Sequence, residues 1–242
     1  MRHFLKSIVA LGTLLVLAGC GQLKLTTTKT QYRPTQMMTV IKGQASHGAQ
    51  LTYQLNGQQH TLKNNSGHFV LLVPASDRQQ AVRIKATQGG QQQLKTVHVT
   101  RQPAITSYAA LALKYNGGLA QMRLTAPQLP QKAATGIHTA IQTTAYQLRL
   151  NVQQQQVINA AFIVPLKTMK QTAGQKAFGT TFSLVSAALG ANSQQVLKDF
   201  QKGIKNQQKD QTTFKTIRSN GITYNVSFSK TQLYIYLARD EG

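Results

Sequence analysis

The chain is predicted to be mainly β: a β-sandwich followed by an α+β module whose antiparallel sheet carries two to three helices. Three observations predict this. Between Met38 and Thr100, six short segments alternate apolar and polar residues and are separated by turn residues. Beyond Pro103, two stretches place apolar residues at helical spacing. The chain then closes with three strand-like segments, two of them joined by Asn220-Gly221.

The first nineteen residues read as an address. Met1 to Lys6 is a short basic start, and the apolar run from Ser7 to Leu17 follows it. About 13 apolar residues are too few to span a bilayer comfortably, so this is the pattern of a secretory signal. The run ends in Leu17-Ala18-Gly19-Cys20, which resembles the lipobox of bacterial lipoprotein precursors. That resemblance implies a diacylglycerol on the Cys20 sulfur and cleavage that makes Cys20 the mature N-terminus. Two acyl chains give stable anchoring where one gives only reversible binding. The expected location is therefore the extracellular face of the cell membrane, with the lipid anchor as the only attached group and no cofactor.

Residues 20–36 are polar and threonine-rich, and read as a lipidated tether or as the site of a first edge strand. Residues 37–102 form the predicted sandwich. Its strands are 39–45, 50–55, 58–63, 68–74, 80–87 and 92–100, with turns at Asn56-Gly57, 64–67 and Gly89-Gly90. Leu51/Tyr53/Leu55, Phe69/Leu71/Val73 and Val82/Ile84 each set one apolar face inward. With a four-residue loop at 64–67, residue 63 would pair with 68. His60 and His68 then point to opposite faces and cannot share a metal. The run Gly43-x-Ala45-x-x-Gly48-Ala49-x-Leu51, with Gly67-x-Phe69 and Ile84-x-Ala86-Thr87, resembles bacterial immunoglobulin-like surface modules. Such a resemblance implies a spacer or an adhesive unit.

Residues 103–242 form the predicted α+β module. Residues 106–115 read as a helix or a strand, with helix favoured, and 124–139 as a loop. Segments 144–151 and 157–164 read as a hairpin. Phe178, Phe182, Val185 and Leu189 form one helical stripe, which Gly190 is placed to end. A second helix begins at Asn192, with Gln195 three residues on as an amide version of the capping box. The closing strands are 212–219, 222–228 and 232–237. The layout is similar to that of surface lipoproteins of lactobacilli that have no assigned function.

Charge bears most directly on function. The chain holds 27 Lys+Arg and 5 Asp+Glu, a net charge of +22. Loss of residues 1–19 removes Arg2 and Lys6, leaving 25 basic and 5 acidic side chains. Residues 20–102 carry 10 basic and 1 acidic, and residues 103–242 carry 15 and 4, so the positive charge belongs to both halves. Such a field favours anionic neighbours: lipid head groups, teichoic polymers or nucleic acid, the last not favoured. Glutamine, at 33 residues, often stands where surface glutamate is expected. We hypothesise adaptation to an acidic exterior, because acid denaturation acts mostly through paired carboxylates. A steep stability loss between pH 7 and pH 4 would contradict it.

Two groups of residues are candidates for binding. Lys198, Lys202, Lys205 and Lys209 recur on one side of the second helix, roughly opposite Val196, Phe200 and Ile204, as a ridge for an anionic surface. A two-residue turn at Asn220-Gly221 sets Ile217 opposite Tyr224 and directs Ile217, Ile222, Tyr224, Val226 and Phe228 to the core. Phe214, Arg218, Tyr234 and Tyr236 then share the other face, where aromatics beside a guanidinium can stack sugars and pair phosphates. One cysteine and five carboxylates leave little material for metal capture or paired-acid catalysis. No metal site and no catalytic residue are expected. The expected function is binding or a structural role in the envelope, with a wall-acting hydrolase or a transport-associated small-ligand receptor as alternatives.

Overall fold

A computed structural model describes residues 22–210 and 214–240, the side chains of 206–210 excepted. Cys20 and the leader lie outside the described residues. Among those described, no helix is long and apolar enough to cross a membrane.

The first module is a sandwich of two sheets. One has the order β1 (Leu25–Thr27), β3 (Met38–Ala45), β6 (His68–Pro74). The other has the order β2 (Gln31–Tyr32), β8 (Gln91–Val99), β7 (Gln80–Gln88), β4 (Gln50–Leu55), β5 (Gln58–Leu62). Strict alternation along β7 brings Val82, Ile84 and Ala86 to zero exposure, against Ile41, Phe69, Leu71 and Val73 of the facing sheet.

One expectation changes here, and an open alternative is decided for the edge strand. Residues 20–36 are not all tether: Leu23 and Leu25 are buried, β1 pairs with β3, and β2 pairs in parallel with β8. The predicted hairpin across 64–67 does not form, because β5 pairs with β4 while β6 pairs with β3 in the other sheet. The segment crosses between sheets, held by Asn64, whose Nδ2 donates to the carbonyls of Ser46 and Ala49. His60 stacks instead on Tyr53, with ring centroids 5.0 Å apart.

The second module packs three helices on one face of a seven-stranded sheet. Its path is β10 (Gly136–Gln142), β11 (Gln147–Gln153), β12 (Gln156–Pro165), β15 (Gln232–Arg239), β14 (Ile222–Phe228), β13 (Ile217–Ser219), and the two-residue β9 (Thr106–Ser107) joins β12. The 106–115 segment thus holds both predicted alternatives. A short strand leads into α1 (Tyr108–Gln121), which Ser107 caps by accepting from the Ala110 N–H at 3.2 Å. Part of the predicted 124–139 loop is β10, whose bulge between Thr139 and Ile141 breaks the period-two pattern.

Helix α2 (Thr172–Ala188) presents Phe178, Phe182 and Val185 to the sheet. Phe182 lies 5.5 Å from Phe162 and 5.8 Å from Tyr224, ring centre to ring centre. Gly190, at φ +93°, ends the helical run. Helix α3 (Ser193–Asp210) starts at the predicted cap, since Asn192 Oδ1 accepts from the Gln195 N–H at 3.1 Å. The reciprocal arm of the box is absent. The Gln195 amide donates to Asp199, and the Asn192 N–H donates to Ser219 Oγ.

The β11–β12 turn is Gln154-Gln155, both at positive φ (+50° and +59°). Two-residue hairpins of this kind favour Asn-Gly, because a left-handed conformation costs an ordinary side chain about 1–2 kcal/mol. Gln155→Gly is expected to raise stability by about 1 kcal/mol, read as a higher urea midpoint at unchanged slope.

Five tyrosine phenols are raised by burial, with Tyr115 and Tyr224 pushed up to about 12. In the unfolded chain they ionise near 10. The folded state therefore keeps protons that the unfolded state loses, and stability present below pH 10 falls as pH rises to 12. Tyr115 and Tyr224 account for about 3 kcal/mol each at most. At the acid end, the ion pair found among the described residues, Arg218 to Asp240 at 3.3 Å, is largely solvent-exposed and worth about 1 kcal/mol at most. Urea midpoints measured from pH 4 to 12 are expected to stay nearly level from pH 7 down to 4 and to drop above 10.

Candidate functional site

The register of the second sheet sets the outer face, opposite the helices, in cross-strand rows. One row is Asn151, Asn159, Ala238, Thr223 and Arg218. The next holds Arg149, Ala161, Tyr236 and Asn225, and a third holds Gln147, Ile163, Tyr234 and Ser227. The predicted pairing of Ile217 with Tyr224 and Ser219 with Ile222 is observed, and it puts Arg218, Tyr234 and Tyr236 on this face. Tyr234 and Tyr236 stack with centroids 6.2 Å apart, 4° from parallel. Burial raises the Tyr236 phenol, with the Arg149 charge opposing.

Phe214 does not belong to this face. It lies before β13 begins, so strand alternation does not reach it, and it turns under α3 against Phe200 (5.9 Å) and Phe228 (6.4 Å). Gly203 makes the space: a Cβ there would sit 2.4 Å from the Phe214 ring.

The first module docks on the Asn151 row. Asn151 Nδ2 and Gln153 Nε2 both donate to the Ala75 carbonyl at 2.8 Å. Asn159 Nδ2 donates to Gln102 Oε1 at 2.6 Å, and Gln102 N–H donates to the Ser76 carbonyl at 2.7 Å. Asn151 and Asn159 are buried amides that join two separate cores, one drawn from Leu23 to Val99 and one from Ile105 to Leu237.

Beside this junction the strand-connecting residues 33–36 and the outer face enclose a cleft of about 390 Å³. Among the described residues, Arg33, Arg218 and Arg239 line it with one carboxylate, Asp240, and Tyr236 and Asn225 belong to its lining. Arg218 Nε lies 3.3 Å from Asp240 and is 65% exposed. Guanidinium forks match phosphate oxygens in pairs, and an aromatic face beside them accepts a sugar or glycerol carbon chain. Arg33 and Arg239 were not among the residues singled out in the sequence. Arg239 ends β15 of the second module, and Arg33 adjoins the cleft only because the modules dock.

Of the lysine ridge, Lys198, Lys202 and Lys205 are exposed along α3, and the Lys209 side chain lies outside the described residues. Lys205 borders a second cavity rather than standing with the others on open surface. Among the described residues, no group of three His, Cys, Asp or Glu side chains gathers as a metal site would require.

No protein-family model matches the chain, and no curated protein matches it. Solved structures give a faint likeness. A Kfla1895 mutant in complex with isomaltose shares 10% identity over 55% of this chain and 17% of that one, at a TM-score of 0.26. The same mutant in complex with cyclobis-(1->6)-alpha-nigerosyl shares 12% over 86% and 29%, also at 0.26. The chain spans less than a third of either, and a likeness at that score carries no argument.

Proposed function

We propose that this chain is a lipoprotein of the extracellular membrane face, anchored by a diacylglycerol on Cys20, that binds phosphate-rich envelope polymers such as teichoic acids without catalysis of its own. The observation that carries the reading is the cleft, where, among the described residues, three arginines and one carboxylate lie beside Tyr236. Its volume falls within the range of about 300–1,000 Å³ usual for ligand sites. A polymer contacting it also runs into the field of a chain that keeps a net charge of +20 after loss of residues 1–19, which attracts polyanions at a distance and is screened by salt. The sandwich serves as one wall of the cleft, and its N-terminal edge strands lead back toward the anchor. The receptor alternative is favoured by a different observation, the large second cavity of the α+β module.

Binding of residues 21–242 to cell walls, with and without their teichoic polymers, tests the proposal across a salt series. Retention is expected to depend on the polymer and to fall about tenfold or more between low and physiological salt, as polyanion binding does. Arg218→Gln with Arg239→Gln is expected to weaken it more than Lys198→Gln with Lys202→Gln. Equal binding to stripped walls, or none, would overturn the proposal.

A further inference from the structure

The α+β module holds a groove of about 1320 Å³, separate from the interdomain cleft. It runs between α2 and α3, past the end of α1 and the end of β14. Met122, Leu166, Leu184, Leu197, Ile204 and Phe228 supply its apolar walls. Its bed on α2 is lined by small residues, with Gly179, Ser183 and Ala187 following one another at four-residue spacing. A Cβ added at Gly179 would meet nothing within 4 Å. Glycine inside a helix is less stable than alanine, and at this position it leaves the groove open.

The margin of the groove is cationic. Lys170, Lys176 and Lys205 line it and are exposed, and among the described residues no carboxylate lines it. Its volume exceeds the range of about 300–1,000 Å³ usual for compact ligands, and its length along two helices suits a chain. An apolar trough ending in lysines complements an aliphatic chain that ends in an anion.

We infer that this groove holds the acyl chain of an anionic amphiphile, with Lys170, Lys176 and Lys205 receiving its carboxylate or phosphate head. The site is independent of polymer binding in the cleft, and Gly179 is the residue that keeps it open.

The test uses the full chain with Cys20→Ala, which has no acyl group of its own to compete, titrated with dansyl-undecanoate. Saturable binding of one probe per chain is expected, displaced at least tenfold better by palmitate than by hexadecanol. Replacing the three lysines by glutamine is expected to remove that preference. Gly179→Leu is expected to lose at least tenfold in probe affinity while melting no lower than its parent, so lost folding cannot explain lost binding. Displacement by lysophosphatidylglycerol stronger than by palmitate supports a phosphate head, and the reverse order supports a carboxylate. Probe affinity unchanged by Gly179→Leu would overturn the inference, as would equal displacement by hexadecanol or uptake only onto intact vesicles. A groove that pairs two copies of the chain would instead give a dimer that Gly179→Leu dissociates, and that result also overturns it.

Discussion

Gly43→Val is expected to cost about 3 kcal/mol or more and to unfold the first module before the second. On β3, Gly43 pairs with Phe69 of β6 and Thr27 of β1. A Cβ on it would lie 2.2 Å from Phe69 Cζ and 2.3 Å from the Thr26 carbonyl oxygen. Phe69 is 1% exposed and fills the sandwich core, so its ring cannot swing aside without opening a cavity. The Thr26 oxygen is backbone of the edge strand, which would have to peel away. Urea unfolding followed by near-ultraviolet tyrosine signals measures the loss. Even Gly43→Ala meets the same two atoms, and a cost below 1 kcal/mol for it would contradict this account of the close approach.

The double variant Asn151→Ala with Asn159→Ala is expected to cost about 3 kcal/mol and to loosen the docking of the two modules. Asn159→Ala strips Gln102 Oε1 of its donor, and an unsatisfied buried group costs about 1–3 kcal/mol, whereas Asn151→Ala removes one of the two donors to Ala75 O and leaves it to Gln153. Asn151 and Asn159 are cross-strand partners, so their effects will not add simply. The expected signs are faster proteolysis around residues 100–104 and a larger radius of gyration in solution scattering. Because the cleft depends on this docking, polymer binding should weaken with it. Unchanged scattering and proteolysis would mean that the amides do not hold the junction.

These residues also mark what could be read in the sequence. Around Asn220-Gly221 the turn type fixes the register, so the two faces of β13 and β14 followed correctly from a two-residue loop. The stripe on α2 and the Asn192 cap were legible because helix spacing and capping are local. Consecutive strands were harder, since period-two alternation looks the same whether β5 and β6 pair or lie in opposite sheets. Nothing in the local pattern marks the polar residues Asn151, Asn159 and Gln102 as buried, and only the docking of a second module makes them interior. Phe214 was misplaced because its partner is a glycine, Gly203, whose packing role leaves no mark on hydrophobic periodicity. Of the cleft, Arg218 and Tyr236 were legible as one strand face, whereas Arg33 enters from another module.

Titration of the chain with poly(glycerol phosphate) tests the central claim most directly, comparing the parent with Arg218→Gln and Arg239→Gln together at two salt concentrations. The account predicts binding by the parent that is weaker at the higher salt, a loss of about tenfold in the variant, and a shallower salt dependence once two cations are gone. Equal affinity of parent and variant would contradict it, since the cleft arginines would then contribute nothing to polymer recognition.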